Sequence, residues 1–345
     1  SAASDVYKRQ LQSPGLSLKI RIFPHSMKLS FAERGAEWPR SLFSPSSVGD
    51  HRGMQCFLKS VHTTKNSYAH LVPEYIFNGQ RLPLHYPAVM GILNLTPDSF
   101  SDGGKFMEPA IAVEKALQMF DQGAQIIDLG GESTRPGSES ISEEEEIQRV
   151  LPVLEKLPVD QFVISIDTTK PKVAELALES GAHIINDVSG GNFQLLNLAR
   201  KYQSGFIIMH AQGLPKTMQE QPSYMNTVTE IGEFFDQKKS QIKEFNLPRI
   251  WIDPGIGFGK TLSHNLEIMK NIHSFLHESW GVLLGSSRKS WIDHLCGAPD
   301  PVKRLGGSIA SALDAVSKGV EIIRVHDVFE TVQALQVARE LATDC

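Results

Sequence analysis

The chain has 345 residues, of which 41% are hydrophobic and 21% charged, so it is an ordinary globular sequence rather than a disordered one. Its 34 Lys and Arg residues against 39 Asp and Glu residues give a formal net charge of −5, and the sequence has no dense basic stripe, which argues against nucleic acid as the main partner. No apolar run approaches the roughly 18 residues of a membrane-spanning helix. Cys56, Cys296 and Cys345 are far apart and odd in number, which favours a reducing, cytoplasmic location.

Residues 1–73 differ in composition from the rest of the chain. Up to about residue 53 they are rich in Ser, Pro and Gly, mostly basic, and lack a sustained period of 2 or 3.6. Such a segment is typical of an organelle transit peptide or of a disordered or non-native extension. Its acidic residues and the lack of an amphipathic helix favour an extension, with Met27 or Met54 as the true start. We therefore predict one catalytic domain over residues 74–345.

From about residue 88 the sequence alternates apolar, β-branched runs with amphipathic helical patterns. Nearly continuous hydrophobicity is typical of strands that are buried on both faces of a parallel sheet. Eight such units in roughly 250 residues predict an α/β fold, the (β/α)8 TIM barrel, with an open doubly wound sheet as the alternative. The strand-like runs are 89–95, 125–129, 162–167, 183–188, 205–209, 249–253, 282–285 and 321–325.

Polar residues lie at or just beyond the end of these runs. A single one is easily explained as the cap of the next helix, as for Asp98 or Asp327. In a barrel, however, the carboxyl ends of all strands meet on one face, where such enzymes place their chemistry. We therefore predict a shared polar pocket from the residues Asn94, Asp167, Asn186, Asp187, His210, Asp253, Arg288, Arg324 and His326.

The donors and acceptors of this pocket suit a flat heterocycle. The carboxylates of Asp167 and Asp253 can each accept two N–H bonds from an amino-imino edge. The Asn186 amide can donate and accept, and the Lys289 ammonium can donate to a ring carbonyl or nitrogen. This set fits a pterin or purine better than a sugar or an aliphatic acid.

A second group predicts an anion site. Arg324 and His326 alternate on the last strand and so point to one side. With Asn94 and Arg135 they could hold phosphate oxygens, and Asn94 or Asp98 could reach a divalent ion. Mg²⁺ needs only one or two protein oxygens when phosphate and water supply the others.

Three further local patterns bear on the function less directly than these side chains do. The long loops 96–105 and 130–140 are rich in Gly, Ser, Thr and Pro and are typical of lids at the active face. The segment GIGFGKT (255–261) looks like a phosphate-binding loop, but Pro254 stands where that motif requires Gly, which argues against a nucleotide triphosphatase. We expect Ser290 to cap the helix that follows it.

Seven motifs together resemble the dihydropteroate synthase family. They keep their order over about residues 74–345, and the pterin-binding methyltransferases would not be expected to carry STRPG, SSRKS and RVHDV together. The motifs are MGILNLTPDSFSDGG (90–104), DLGGESTRPG (128–137), SIDTTKP (165–171), GAHIINDVSG (181–190), DPGIGFGKT (253–261), GSSRKS (285–290) and IIRVHDV (322–328).

The resemblance implies a reaction and a set of roles. The reaction is the condensation of 7,8-dihydropterin-6-ylmethyl diphosphate with 4-aminobenzoate, giving 7,8-dihydropteroate and diphosphate by dissociative alkyl transfer in folate biosynthesis. The catalytic set would be Asp167, Lys289, Arg324 and His326. The pterin would be held by Asp167, Asn186, Met209, Asp253 and Lys289, the diphosphate by Asn94, Arg324 and His326, and the aminobenzoate by Phe100, Thr134, Arg135, Pro136, Phe258 and Ser290.

The resemblance also implies Mg²⁺, ligated by Asn94, and a homodimer with small-molecule substrates as its other partners. Two alternatives stay open from the sequence. One is a pterin-binding methyltransferase, which would depend on a corrinoid protein and ignore aminobenzoate. The other is a barrel that has lost catalysis and only binds pterin.

Overall fold

The computed structural model describes residues 22–23, 26–27, 74–96, 108–133, 138–213 and 217–342. The chain divides into two compact units, Ser1–Leu58 and Lys59–Cys345. In the first unit, β1 (Ile22–Phe23) pairs antiparallel with β2 (Ser26–Met27). The remainder of residues 1–73 lies outside the described residues, and their interpretation as an extension stays a prediction.

A hairpin opens the described part of the second unit, and eight parallel strands follow it. The hairpin consists of β3 (Glu74–Phe77) and β4 (Gln80–Pro83). Each boundary predicted for the eight strands lies within one residue of the observed one. They are β5 (Ala88–Asn94), β6 (Ile126–Gly130), β7 (Val163–Asp167), β8 (Ile184–Asp187), β9 (Gly205–Met209), β10 (Ile250–Asp253), β11 (Gly281–Leu284) and β12 (Ile322–Val325).

The eight strands close into a barrel in the order β10-β11-β12-β5-β6-β7-β8-β9. This closure confirms the predicted TIM barrel. The doubly wound alternative is wrong, because the first and last strands of the series, β5 and β12, pair with each other.

Helices alternate with these strands around the barrel. Several begin at a side chain that caps a backbone N–H, such as Ser142, which accepts from the N–H of Glu145, and Asn192, which accepts from that of Gln194. Of the helices in the described part of the chain, none is both long and apolar enough to cross a bilayer. They are α1 (Pro109–Asp121), α2 (Glu143–Leu154), α3 (Pro171–Glu179), α4 (Phe193–Tyr202), α5 (Thr227–Ile242), α6 (Leu262–Lys270), α7 (Ser290–Cys296), α8 (Leu305–Ser317) and α9 (Val328–Ala342), with 3₁₀ turns at Lys243–Phe245, Ile272–Phe275 and Pro301–Arg304.

The barrel interior changes from apolar to polar along the strands. Side chains of one strand face inward at every second residue. In the lower layer those residues are apolar and pack together: Met90, Ile126, Val163, Ile184, Ile207, Trp251, Leu283 and Ile322. Two residues further along, several strands carry a polar side chain instead: Asp128, Ser165, Asn186, Asp253 and Arg324. The fold therefore places a polar floor above an apolar base.

The hairpin of β3 and β4 closes the lower end of the barrel. It packs into the same interior cluster through Phe77, whose ring centroid lies 6.1 Å from that of Trp251. Gln80 Oε1 lies 3.2 Å from Nε2 of His183, just before β8. Burial of Phe77 and this polar contact fix the hairpin as the base of the barrel.

Candidate active site

Four neighbouring strands bring one row of side chains together at the carboxyl end of the barrel. Asn94 pairs in register with Gly130, Gly130 with Asp167, and Asp167 with Asn186. A Cβ at Gly130 would lie 3.6 Å from Asn94 Oδ1 and 3.9 Å from Asp167 Oδ2. The glycine thus leaves an open space between these two polar groups, at the place where the sequence predicted a pocket.

Arg324 is held in the floor of this pocket by two carboxylates. Its Nε donates to Oδ2 of Asp128 over 2.6 Å, and its Nη2 donates to Oδ2 of Asp167 over 2.9 Å. Asn186 Nδ2 donates to the same oxygen of Asp128 over 3.1 Å. Asp128, fully buried, therefore positions two of the predicted site residues, and two of the five N–H groups of Arg324 are used in this way.

Two carboxylate oxygens of this network have no partner among the described residues. They are Asp128 Oδ1 and Asp167 Oδ1. The buried Ser165 hydroxyl also has no hydrogen-bond partner among these residues. A buried polar atom without a hydrogen bond is rare in a folded protein because its desolvation is not compensated. These atoms therefore indicate a ligand that donates hydrogen bonds into the floor.

Asp253 and Lys289 complete the floor from the opposite side of the barrel. Asp253, the last residue of β10, accepts from the N–H of Gly255 over 2.8 Å. Its other oxygen, Oδ2, lies next to Gly285, where the absence of a side chain leaves room for a Cβ at an ordinary contact distance of 3.6 Å. Lys289 donates to the carbonyl of Ile256 over 2.8 Å. Met209, the last residue of β9, is buried and pairs in register with Asp253.

Burial shifts the pKa values of three groups in the floor. It raises the pKa of Asp167 to about 7, although Arg324 opposes that shift. It also raises the pKa of Asp253, against the hydrogen bond from Gly255. It lowers the pKa of Lys289 to about 7, while Asp253 opposes the loss of its proton. Perturbed groups that converge in a cleft are typical of a functional site.

The loop from 285 to 289 is tied to the end of β12. Ser287 Oγ accepts from the backbone N–H of His326 over 3.2 Å and lies 3.1 Å from Nδ1 of its ring. Arg288 donates to both oxygens of Asp327, from Nε over 2.9 Å and also from Nη2. The Asp327 carboxylate, predicted as a possible helix cap, thus binds the neighbouring loop.

Backbone strain marks the residue before Lys289. Arg288 has a φ of +57°, in the left-handed region that side chains rarely adopt. Its N–H donates to Ser308 Oγ over 2.9 Å, and its carbonyl accepts from Arg304 Nη1 over the same distance. These two bonds hold the strained turn that aims Lys289 into the pocket.

The aminobenzoate residues are only partly described. Phe258 lies in the loop between β10 and α6, and its ring centroid is 3.9 Å from Nζ of Lys289. Ser290 is the first residue of α7, and the expectation that it caps this helix is wrong, because Lys289 holds the extended cap position with no side-chain cap bond. Phe100, Thr134, Arg135 and Pro136, with Asp98, lie outside the described residues.

The segment that looks like a phosphate-binding loop turns its lysine inward. Lys260 is 3% exposed, and its amine contacts His210 Nδ1 at 3.1 Å and the carbonyls of His210 and Phe258 at 3.2 and 2.9 Å. Burial lowers the pKa of Lys260 to about 7 and that of His210 to about 3. Because the Lys260 amine is bound to protein atoms, it is not presented to a nucleotide phosphate, as expected for a segment that is not a nucleotide-binding loop.

Three residues of this region were not predicted from the sequence: Asp128, Ser287 and Lys260. Asp128 lies two residues inside β6 rather than at its end, but its alternation with Gly130 places it on the inner face. Among the described residues, no cluster of three or more His, Cys, Asp or Glu side chains is arranged to hold a metal. Asn94 is the described residue that can offer an oxygen to a phosphate-bound cation from the predicted set.

Comparison with known proteins shows the family of the chain. The model of the family described as "Pterin binding enzyme" matches residues 90–326. A dihydropteroate synthase of Escherichia coli K12 is 46% identical over 263 residues, which is 75% of this chain and 93% of that protein.

Solved structures give the same picture. Xanthomonas albilineans dihydropteroate synthase with 4-aminobenzoic acid superposes with a TM-score of 0.73 at 36% identity, covering 80% of this chain and all of that one. The Thermus thermophilus dihydropteroate synthase in complex with 6HMPPP gives 0.68 at 36% identity, covering 78% of this chain and all of that one.

Proposed function

The chain belongs to the dihydropteroate synthase family of pterin-binding enzymes, and from that membership we propose how its own residues share the work of the reaction. The enzyme condenses 7,8-dihydropterin-6-ylmethyl diphosphate with 4-aminobenzoate to 7,8-dihydropteroate and diphosphate, a step of folate biosynthesis. The observation that carries the assignment of roles is the buried Oδ1 of Asp167 beside Arg324, which has no hydrogen-bond partner in the described part of the chain.

The pterin is held by Asp167, Asn186, Met209, Asp253 and Lys289. The free oxygens of the two aspartates accept from the amino and ring N–H groups, because those are the donors that a pterin edge offers. One N–H of the Asn186 amide donates to Asp128, which leaves its second N–H and its oxygen for the pterin. Lys289 donates to a ring acceptor, and Met209 packs against the ring face.

The diphosphate is held by Asn94, Arg324 and His326. Arg324 keeps three N–H groups beyond the two that bind Asp128 and Asp167. His326 directs its ring from just beyond the end of β12, with Nδ1 against Ser287. Arg324 neutralises the charge that builds up on the leaving group, where preorganised electrostatics act most strongly, and His326 donates a hydrogen bond to it.

We assign Mg²⁺ to Asn94 and the diphosphate. The space above Gly130 lies next to Asn94 Oδ1, so an ion there would find one protein oxygen and open room for phosphate and water oxygens. Mg²⁺ usually has such a coordination, with few protein ligands. When bound, the ion would offset charge on the departing diphosphate.

The aminobenzoate packs against Phe258 and directs its carboxylate to Ser290, while Phe100, Thr134, Arg135 and Pro136 enclose it from the two long loops. Support comes from the position of Phe258, whose ring lies over the same Lys289 that faces the pterin. The two substrates are thereby neighbours, as the new C–N bond requires.

The transfer is dissociative. The C–O bond to the diphosphate breaks, its electron pair leaves with the diphosphate, and the methylene is left as a cation conjugated with the pterin. Asp167 stabilises the positive charge that spreads over the ring. The neutral aniline nitrogen then attacks, the C–N bond forms, and the proton of that nitrogen passes to the departing diphosphate. Exclusion of water protects the cation from hydrolysis. Asp167, Lys289, Arg324 and His326 are the catalytic residues in this scheme.

We also propose that the enzyme is a homodimer through the outer face of α8. The buried side of this helix carries Ser308, Ser311, Ala312 and Ala315, whereas its outer side carries exposed Ala310 and the half-buried Ile309 and Leu313. Apolar residues on the outer side of a helix are typical of one that packs on a partner. In sedimentation experiments, Ala310→Arg should shift the dimer to a monomer; an unchanged mass would refute this face.

Cytoplasmic location is proposed from the free, exposed Cys296, which a reducing compartment tolerates. The test of the reaction is diphosphate release by the purified protein, given the pterin diphosphate and Mg²⁺, with and without 4-aminobenzoate. We expect release that is coupled to dihydropteroate formation and lost in Lys289→Ala. Pterin binding without product would instead favour a methyltransferase or an inactive barrel, and no pterin binding would refute the site.

A further inference from the structure

Four successive backbone carbonyls in the loop between β10 and α6 are each bound by a different side chain. Lys289 donates to the carbonyl of Ile256 over 2.8 Å, and Gln219 donates to that of Gly257. Lys260 donates to the carbonyl of Phe258 over 2.9 Å, and the hydroxyl of Tyr224 donates to that of Gly259 over 3.1 Å. A short segment with every carbonyl bound is held far more closely than an ordinary surface loop.

The same loop lies directly on the segment that follows β9. A Cβ at Gly255 would be 1.9 Å from the carbonyl oxygen of His210, and one at Gly259 would be 2.2 Å from that of Gln212. Both glycines have positive φ values, 69° and 62°. Such contact with backbone leaves no room for a side chain, so the two segments are packed main chain against main chain.

Lys260 and Tyr224 connect these two segments across that contact. Lys260 leaves the loop and reaches His210 at the end of β9, while Tyr224 comes from the segment after β9 and reaches back to Gly259. No carboxylate among the described residues lies within ion-pair distance of the Lys260 amine, so the charge of the lysine is not explained by a salt bridge. The structural role of Lys260 is therefore to bind the carbonyls of His210 and Phe258.

The Lys260 amine can keep its three contacts in either protonation state. As an ammonium it has three N–H groups for the two carbonyls and for Nδ1 of His210. As a neutral amine it has two N–H groups for the carbonyls and a lone pair for an Nδ1–H donor. The contact therefore persists as the lysine gains or loses a proton.

We propose that Lys260 and Tyr224 are positioning residues for the aminobenzoate site: by holding the carbonyls of Phe258 and Gly259 against the end of β9, they fix the ring of Phe258 at the distance the aromatic substrate needs. The inference rests on the proposed contact of Phe258 with 4-aminobenzoate. Neither side chain forms a hydrogen bond with Asp167, Asn186 or Asp253, and the pterin residue Lys289 keeps its own bond to the carbonyl of Ile256 when either is truncated. We therefore expect their loss to act mainly on the aminobenzoate.

The test compares four variants of the full chain. Lys260→Met keeps the aliphatic stem and removes the amine, and Tyr224→Phe keeps the ring and removes the hydroxyl. Phe258→Ala tests the contact on which the inference rests. Lys318→Met is the matched control, because Lys318 also donates to a backbone carbonyl, that of Met269 over 2.9 Å, but lies before β12 at the opposite end of the barrel.

For each variant the KM for 4-aminobenzoate and kcat are measured, together with the Kd of 6-(hydroxymethyl)pterin by calorimetry, well below the melting temperature. Lys260→Met removes several contacts of the amine and should raise the KM about fivefold, whereas Tyr224→Phe removes one hydrogen bond and should raise it about twofold. The pterin Kd should be unchanged, and Lys318→Met should match the wild type in every value.

The outcomes distinguish failure of the proposed Phe258 contact from failure of the positioning role of Lys260 and Tyr224. If Phe258→Ala leaves the KM for 4-aminobenzoate unchanged, the proposed contact itself is wrong and the inference fails with it. If Phe258→Ala raises that KM but Lys260→Met and Tyr224→Phe do not, the contact stands and the positioning role is overturned. Equal losses of pterin and aminobenzoate affinity also overturn it, since they indicate general damage. If Lys260→Met does not fold, Tyr224→Phe decides by the same criteria.

Discussion

Arg324 and Asp167 meet over 2.9 Å through Nη2 and Oδ2, while the second oxygen of Asp167 is buried without a partner among the described residues. One carboxylate thereby contacts the cation assigned to the diphosphate and also faces the space assigned to the pterin. When the bond between the pterin and the diphosphate breaks, positive charge develops on the pterin and negative charge on the diphosphate. Asp167 is then placed to stabilise the positive charge and Arg324 the negative charge.

Asp167→Asn should lower kcat about 100-fold or more, because the neutral amide cannot stabilise the cation on the ring. Inhibition by added diphosphate should change little, since Arg324 is still held by Asp128. Steady-state kinetics with diphosphate as product inhibitor measures both quantities. An unchanged kcat would remove Asp167 from the role of cation stabiliser.

Asp128→Asn should weaken pterin binding about tenfold, although Asp128 is not among the residues proposed to hold the pterin. The carboxylate binds both Arg324 and Asn186 through Oδ2, and a neutral amide removes the charge that pairs with the guanidinium. Calorimetry with 6-(hydroxymethyl)pterin gives the affinity. Asp236→Asn, which alters a carboxylate with 79% of its side chain exposed, is the control and should bind as the wild type does.

Ser287→Ala should lower kcat/KM for the pterin diphosphate about tenfold while the affinity for 6-(hydroxymethyl)pterin stays the same. Ser287 accepts from the backbone N–H of His326, and Nδ1 of that ring is the acceptor within reach of its hydroxyl proton. When the hydroxyl donates to Nδ1, the ring proton lies on Nε2, from which it can donate to a phosphate oxygen. Ser287→Thr keeps the hydroxyl and should restore most of the activity; equal loss in both variants would contradict a role for the hydroxyl.

Stability should rise between pH 7 and pH 9, in part through Lys260. Burial lowers the pKa of Lys260 from 10.5 to about 7, so above pH 7 the unfolded chain keeps a proton that the folded protein has lost. The free energy of unfolding then increases with pH across this window and falls as the pH drops toward 7. In urea titrations at pH 7, 8 and 9, Lys260→Met should show a shallower rise, by at most about 1.4 kcal/mol per pH unit. Identical slopes would contradict this origin of the pH dependence.

The sequence was sufficient to predict the strands, because a strand that is buried on both faces can be recognised from its own residues. A strand covered on both faces must be apolar along its length, and each such run ends where a polar residue such as Asn94 or Asp253 reaches the open face. Because the carboxyl ends of all eight strands meet, the side chains at those ends could be grouped before any distance was known.

Contacts between distant segments could not be predicted in this way. Asp128 was missed because it lies inside a strand, where only the closing of the barrel brings Arg324, 196 residues further along, to its side. Lys260 was considered as part of a nucleotide-binding pattern, yet its partner His210 lies 50 residues earlier. The cap at Ser290 was misplaced because, after the left-handed turn at Arg288, the helix begins at the serine itself, one residue earlier than a serine cap requires.

The hairpin of β3 and β4 closes the lower end of the barrel. Phe77 is fully buried there among the described residues, so we expect both substrates to enter, and both products to leave, at the carboxyl ends of the strands. Asp167, Asn186 and Asp253 are buried, whereas Phe258 is half-buried and Ser290 is exposed, so an aminobenzoate bound as proposed would lie between the pterin site and the solvent. We therefore expect an ordered reaction in which the pterin diphosphate binds before 4-aminobenzoate and the product leaves before the next pair binds.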